Sequence, residues 1–346
     1  MRIFKYLLVF TLPVTVYISF YNTGILSFFP LLYAFALIPF LELFLKPDAG
    51  NEEAEDPDSL SNKIYDWLLY LVVPVQYGFL VLFCFRVAEP GLAAADIIGR
   101  ISGMGLLCGV LGINVAHELG HRTDKKEQFL AKSLLLTSLY MHFFIEHNRG
   151  HHKHVSTEED PNSARKGEIL YVFWLRSVVF AYLSAWKISF GDMEKAGRSR
   201  FSLHNEMLQF QLIQVGLVVL IFVLFGNTVT WYFIFAGIFG FLLLETVNYI
   251  EHYGLSRKKE ANGRYERVQP AHSWNSNHRL GRMLLFELSR HSDHHFLANR
   301  KYQTLRHMDN SPQMPTGYPG MMLLSFIPPV WFYVIHRSMK KQALLQ

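Results

Sequence analysis

The sequence predicts an all-α integral membrane protein with six transmembrane helices and a histidine-rich region on one side of the membrane. Three observations carry that expectation. Apolar residues make up 51% of the 346, and they fall in long blocks where a soluble chain would spread them through short periodic segments. Six blocks approach or exceed the roughly 20 residues that cross a bilayer core. Nine of the 16 histidines stand in four compact groups at the ends of those blocks or after them.

The predicted spans are 4–22, 28–46, 65–85, 96–116, 207–226 and 229–250. Prolines in the first two are tolerable in a membrane helix when neighbouring groups satisfy the freed carbonyls. The first block follows Arg2 and Lys5, but no small-residue cleavage site comes after it, so it reads as an uncleaved span and not a signal peptide. Two further stretches, 128–145 and 169–190, read as helices lying on the membrane or entering and returning; the second carries Arg176 and Lys187. The acidic stretch 47–62 is a solvated connector, and residues 1–346 form a single membrane domain without repeats.

Parity then places the histidines. Four spans before His117 and two more before His252 bring every group out on one side, whereas one extra crossing between His121 and His147 would divide them. Arg2, Lys5, Lys46, Lys63, Arg122, Lys125 and Lys126 mark that side as cytoplasmic; Arg86 and Arg100 are exceptions. No nucleic-acid partner is expected, and the lipid bilayer is the chain's principal surroundings.

The histidine spacing is chemically specific. His117 and His121 in HELGH share a helix face at i,i+4, as do His147 and His151 in HNRGHH, while His152 can turn toward a second ion. His291, His294 and His295 stand at i, i+3 and i+4, and His252 ends the sixth span. HExxH alone permits a zinc metalloprotease with glutamate as base. A mononuclear catalytic zinc uses about three protein ligands, however, and nine suit two ions with four or five nitrogens each. Imidazole ligands favour zinc, iron, copper or nickel over magnesium or calcium, and spacing does not select among them.

Glu118, Glu146, Glu251 and Asp293 each adjoin a proposed ligand and are candidates to accept the other ring N–H of a metal-bound histidine. Glu118 could equally pair with Arg122 or Lys125. Asp160 and Glu158 read as partners of surface lysines. His154 either supports the site or faces solvent, and His204 and His336 are isolated. Cys84 and Cys108 lie inside apolar segments as small buried hydrophobes, so any redox centre built on cysteines belongs to another chain.

Together HELGHR, EHNRGHHKHVSTEEDPNSAR, NYIEHYGL, PAHSWNSN, RHSDHH and GYPGMMLLSFIPPVWF resemble the membrane-bound alkane hydroxylase family, over about residues 60–335. That family is related to xylene monooxygenase and to membrane fatty acid hydroxylases and desaturases. The resemblance implies a non-haem diiron monooxygenase of a bacterial inner membrane, multi-pass, with its site facing the cytoplasm. It implies His117, His121, His147, His151, His152, His252, His291, His294 and His295 as ligands of two iron ions, O2 as cosubstrate, and reduction by a separate rubredoxin or ferredoxin served by a reductase. The implied substrate is a membrane-dissolved hydrocarbon, first the terminal methyl of a medium-chain alkane, then an alkyl aromatic or fatty acyl chain. This chain departs from the family pattern at Glu287, Ser289 and Phe296 in ELSRHSDHHF.

An apolar tunnel between the first four spans and the sixth is expected to bring substrate to the ions, with Leu80, Leu106, Val110 and Phe241 equally readable as core. Arg149, Lys153, Arg165, Lys166, Arg257, Lys258 and Lys259 could steer an acidic electron carrier, or reflect only the positive-inside bias. A desaturase is the main enzyme alternative. A transporter is disfavoured because the polar groups gather at one interface instead of spanning the bilayer.

Overall fold

A computed structural model describes residues 2–343 except 52, 53, 55 and 57–60, and the side chains of Arg2 and Ala343 also lie outside the described residues. Parts of the acidic connector 47–62 and the Arg2 charge therefore carry no structural statement. The described chain is helical, with two isolated β-bridges, Lys259 with Tyr265 and Asn275 with Gln313.

Among the described residues five helices are long and apolar enough to cross a membrane: α1 (Ile3–Tyr21), α2 (Gly24–Glu42), α3 (Ile64–Val87), α4 (Ala94–Gly120) and one of 47 residues, Glu206–His252. That last element joins the fifth and sixth predicted spans. An unbroken α-helix of that length would measure about 70 Å, more than twice a bilayer core of ~30 Å. It breaks at Gly226, whose φ of 81° and ψ of 177° suit a residue without Cβ. The second predicted span also shifts, from 28–46 to Gly24–Glu42, because a 3₁₀ turn at Gly24–Phe28 starts it early and Leu43, Phe44 and Leu45 lie exposed beyond its end.

Neither ambiguous stretch is among these five helices. Residues 128–145 divide into α5 (Lys125–Leu136), whose first turn is capped by Asp124 accepting from Lys126 N–H at 2.8 Å, and a turn leading to Phe143–Glu146. Residues 169–190 lie in α6 (Leu170–Lys195). Its Phe173, Ser177, Ala181, Ala185 and Ser189 are buried, while Val172, Leu175, Val179 and Leu183 form an exposed apolar stripe. The 47-residue element is α7, begun by Asn205 accepting from Leu208 N–H at 3.2 Å.

Helices α4 and α7 carry histidines at their C-terminal ends and meet through glycines. A Cβ built on Gly240 would stand 2.5 Å from Cys108 Cβ and 3.1 Å from the Gly105 carbonyl; one on Gly105 would stand 2.6 Å from Phe239 Cδ1. Small residues let two membrane helices approach this closely. The contacts advance together, Gly105 against Ala236 and Gly240 and Gly109 against Gly240 and Leu243, so the two helices run parallel.

After α7 the chain folds over the histidine end in short turns, including Arg279–Leu284 and α8 (His291–Phe296). Glu287 fastens this cover to α1. Its carboxylate accepts from Lys5 Nζ and Tyr6 OH at 3.0 Å each and from Arg282 Nε at 2.5 Å. Arg290 reaches the carbonyls of Leu305 and Gly50 at 2.7 and 2.6 Å. Thus one departure from the family pattern is an ion-pair hub. Ser289 is buried, and Phe296 is 40% exposed.

Candidate metal centre

The four sequence groups converge into two spatial ones. His117, His121, His147, His152 and His294 form one, and His151, His252, His291 and His295 the other; within each, one ring nitrogen per residue lies within 4.8 Å of all the rest. In the five-membered group the Nε2 atoms face one another, His117 to His294 at 2.8 Å, His121 to His147 at 3.1 Å, His147 to His152 at 3.0 Å and His152 to His294 at 3.1 Å. In the other, His252 and His291 approach at 3.2 Å through Nε2.

The partition differs from i,i+4 expectation at one place, for a local reason. His147–His151 is a π-helical turn in which the His152 N–H bonds the His147 carbonyl, five residues back. That widened turn puts His147 and His152 on one face and rotates His151 toward the other group. Such π-turns are frequent at functional sites, and a second, Cys108–Ile113, immediately precedes the turn bearing His117. In α8, His291 and His295 at i,i+4 join the four-membered group while His294 points to the five-membered one.

The donor set fits metal. Metal-binding imidazole must be neutral, and burial, then the neighbouring rings, hold His121, His147, His152, His291, His294 and His295 well below their ordinary value of 6.5. His151 Nε2 and both nitrogens of His295 are buried without a hydrogen-bond partner. Buried polar atoms rarely stay unpaired, and an ion at the four-membered focus would satisfy His151 Nε2 and one nitrogen of His295. His121 and His152 are partly exposed, whereas the four-membered group is wholly buried.

The carboxylates sort differently from their sequence positions. Asp160 does not pair with a surface lysine: it is buried and accepts a hydrogen bond from His151 Nδ1–H at 2.9 Å, fixing the tautomer that presents Nε2. Glu251 Oε2 lies 3.1 Å from His291 Nε2, and its Oε1 accepts from Tyr318 OH at 2.7 Å. Glu146 is held by Asn162 Nδ2 at 2.7 Å. Glu118 pairs with Arg122 at 2.5 Å and accepts Tyr302 N–H at 3.1 Å, so the base required by a metalloprotease is already engaged. Asp293 accepts Arg306 N–H at 2.9 Å and faces Arg300 at 3.2 Å. The remaining histidines stand outside both groups: His154 pairs with Glu159, His336 with Tyr253, and His142 packs on Tyr140 and Tyr182. Sequence reading passed over Glu245 and Asn248. The signal was there, since Glu245 is an ionisable residue inside the span 229–250.

An apolar cavity of about 100 Å³ abuts both groups. Tyr33 and Ile38 of α2, Leu106 and Val110 of α4, Leu243 of α7 and Met322 line it, and His117, His147 and His291 close its inner end. Leu80 and Phe241 do not line it; Leu80 is core, and Phe241 stacks on Tyr140 at 4.7 Å between centroids.

A helical membrane protein with two histidine-only metal foci opening on an apolar cavity belongs to the membrane-bound non-haem oxidoreductases, and residues 93–325 match the Fatty acid desaturase family. Two bacterial proteins are similar over most of their length. Alkane 1-monooxygenase 1 of Alcanivorax borkumensis is 39% identical over 86% of this chain and 74% of its own. Alkane 1-monooxygenase 1 of Pseudomonas aeruginosa is 41% identical over 87% and 82%. The xylene/toluene monooxygenase hydroxylase component of Pseudomonas putida is 28% identical over 78% and 72%. This chain belongs to the membrane-bound alkane 1-monooxygenase family. As a member it is an oxidoreductase, a non-haem monooxygenase built around a two-metal histidine centre.

Proposed function

We propose that the two groups hold two iron ions and that the enzyme hydroxylates the terminal methyl of a medium-chain alkane, using O2 and electrons from a separate rubredoxin or ferredoxin. The nine clustered histidines are the ligands, Asp160 orients His151 through its Nδ1, and Glu251 stands beside the metal-facing Nε2 of His291. When bound, the irons supply the reduction of dioxygen and the oxidation of an unactivated C–H bond. The cavity carries the choice of substrate. Its wall holds no lysine or arginine, so an alkyl chain finds apolar contact along its length while a free carboxylate would be left without a counter-charge. Its outer wall is α2, a helix that exposes Leu32, Leu37 and Phe40, which gives a lipid-dissolved chain entry without passage through water.

The chain crosses the bilayer six times, α7 contributing two crossings that meet at Gly226, and the histidines face the cytoplasm. The apolar stripe of α6 rests in the membrane surface. The electron carrier docks on the exposed Lys153, Arg165, Lys166, Lys258 and Lys259. Arg149 and Arg257 contribute less to steering, since Arg149 is paired twice with Asp192 and Arg257 is bound to the Glu266, Lys153 and Val155 carbonyls.

The test incubates iron-loaded protein, a purified electron-transfer pair and ¹⁸O2 with a mixture of alkanes, xylenes and fatty acids. The expected product is a primary alkanol carrying ¹⁸O. An alkene would establish a desaturase instead, and no product despite two bound irons and verified electron delivery would reject the hydroxylase assignment for those substrates.

A further inference from the structure

Glu245 is a carboxylate inside a membrane-spanning helix and is 1% exposed. Ionisable groups there are rare and are answered by another charge or a function. Its hydrogen-bond partners are neutral: Tyr140 OH donates to Oε1 at 2.9 Å, Asn248 Nδ2 to Oε2 at 3.4 Å, and the Ser177 hydroxyl completes the set. It precedes His252 by two helical turns, which puts both on one face about 10 Å apart along the axis. Asn248, between them, lines the cavity beside His117, His147 and His291.

Three more buried carboxylates approach the histidines without a lysine or arginine partner among the described residues. Glu146 is held by Asn162, Asp160 by His151, Ser163 Oγ and Asn162 N–H, and Glu251 by Tyr318 and His291. Glu118, Asp293 and Glu287, by contrast, all pair with arginine. Glu42 and Asp96 are also buried without a cation, but they accept backbone N–H of Gly281 and Gly24, outside both histidine groups.

Neutral imidazoles offset none of the charge of the ions they bind. Two divalent ions would therefore leave four positive charges in a buried site, where uncompensated charge is costly. We propose that Glu245 is a charge-balancing residue of the metal centre, completing with Glu146, Asp160 and Glu251 the negative charge that matches two divalent ions. This rests on the reading that both histidine groups hold such ions.

Cobalt(II) titration of the full-length, metal-stripped protein in detergent tests it, with stoichiometry and affinity as readouts. Glu245→Gln keeps size and hydrogen bonding and removes one charge. Its weaker-bound ion is expected to lose roughly 100–500-fold in affinity, the effect of a unit charge on a divalent ion about 10 Å away at an effective dielectric of about 20. Glu245→Asp should restore most of the loss. Tyr140→Phe, which removes a hydrogen bond without altering charge, should stay within about threefold of the parent protein. Unchanged affinity in Glu245→Gln, or an equal loss in Tyr140→Phe, overturns the proposal. Fewer than two cobalt ions bound by the unsubstituted protein would overturn the two-ion reading beneath it, a failure visible before any substitution is made.

Discussion

Replacing Gly240 with alanine places a methyl 2.5 Å from Cys108 Cβ and 3.1 Å from the Gly105 carbonyl, at the tightest crossing of α4 and α7. Carbon atoms rest about 3.5–4.0 Å apart, so the helices must separate by about 1 Å. Overpacking of this kind costs about 1–3 kcal/mol. The displacement also bears on the site. Gly105 precedes His117 by twelve residues and Gly240 precedes His252 by the same number, about 18 Å along each helix, so one crossing sets the spacing of a ligand from each group. Metal sites hold their ligands to about 0.2 Å, several times less than the forced separation. Gly240→Ala should therefore lower the melting temperature by a few degrees and cut bound metal from two ions toward one, measured by calorimetry and elemental analysis. Gly216→Ala, with no atom within 4 Å of the new methyl, is the control and should change neither. A Gly240→Ala protein with parental melting temperature and two bound ions would refute the argument that this contact sets the site.

Two further outcomes follow from the same coordinates. If the π-turn governs the grouping, the double substitution His147→Ala/His152→Ala removes ligands from one focus and should leave one ion bound, whereas His147→Ala/His151→Ala damages both and should leave fewer; equal metal content in the two would show that i,i+4 spacing decides instead. Burial raises the Glu287 carboxyl, but Arg282, Lys5 and Arg290 outweigh it and hold it at about 2 against an ordinary 4.5. A depressed carboxylate stabilises the fold above its unfolded value, so this contribution, on the order of 2–3 kcal/mol, should fade as pH falls from roughly 4.5 to 2. Glu287→Gln should unfold more readily at neutral pH and show a flatter decline below pH 5; parallel melting curves for the two proteins across that range would sink the ion-pair account.

Much of the fold was legible because a bilayer imposes its demands locally. A helix must carry its own apolar length, so α1, α3 and α4 were readable within a few residues. The histidines were equally legible as metal chemistry, since repeated polar groups at the ends of apolar helices have no packing use. The sequence left other points open or misread them for equally specific reasons. The Asp160 contact with His151 spans a loop whose path no spacing records. Glu245 stood out in the sequence as an ionisable residue in an apolar run, but its neutral surroundings become visible only when Tyr140 and Asn248 are seen beside it.

From the sequence alone came the membrane class, the nine histidines and the family resemblance. Tertiary structure decided which histidine groups with which. That choice depends on one extra residue in the turn His147–His151, on the glycine crossing of α4 with α7, and on the splayed face of α8. Spacing along a chain fixes what lies on one helix face; it does not fix how separate helices, meeting at van der Waals distance, divide their ligands between two points in space.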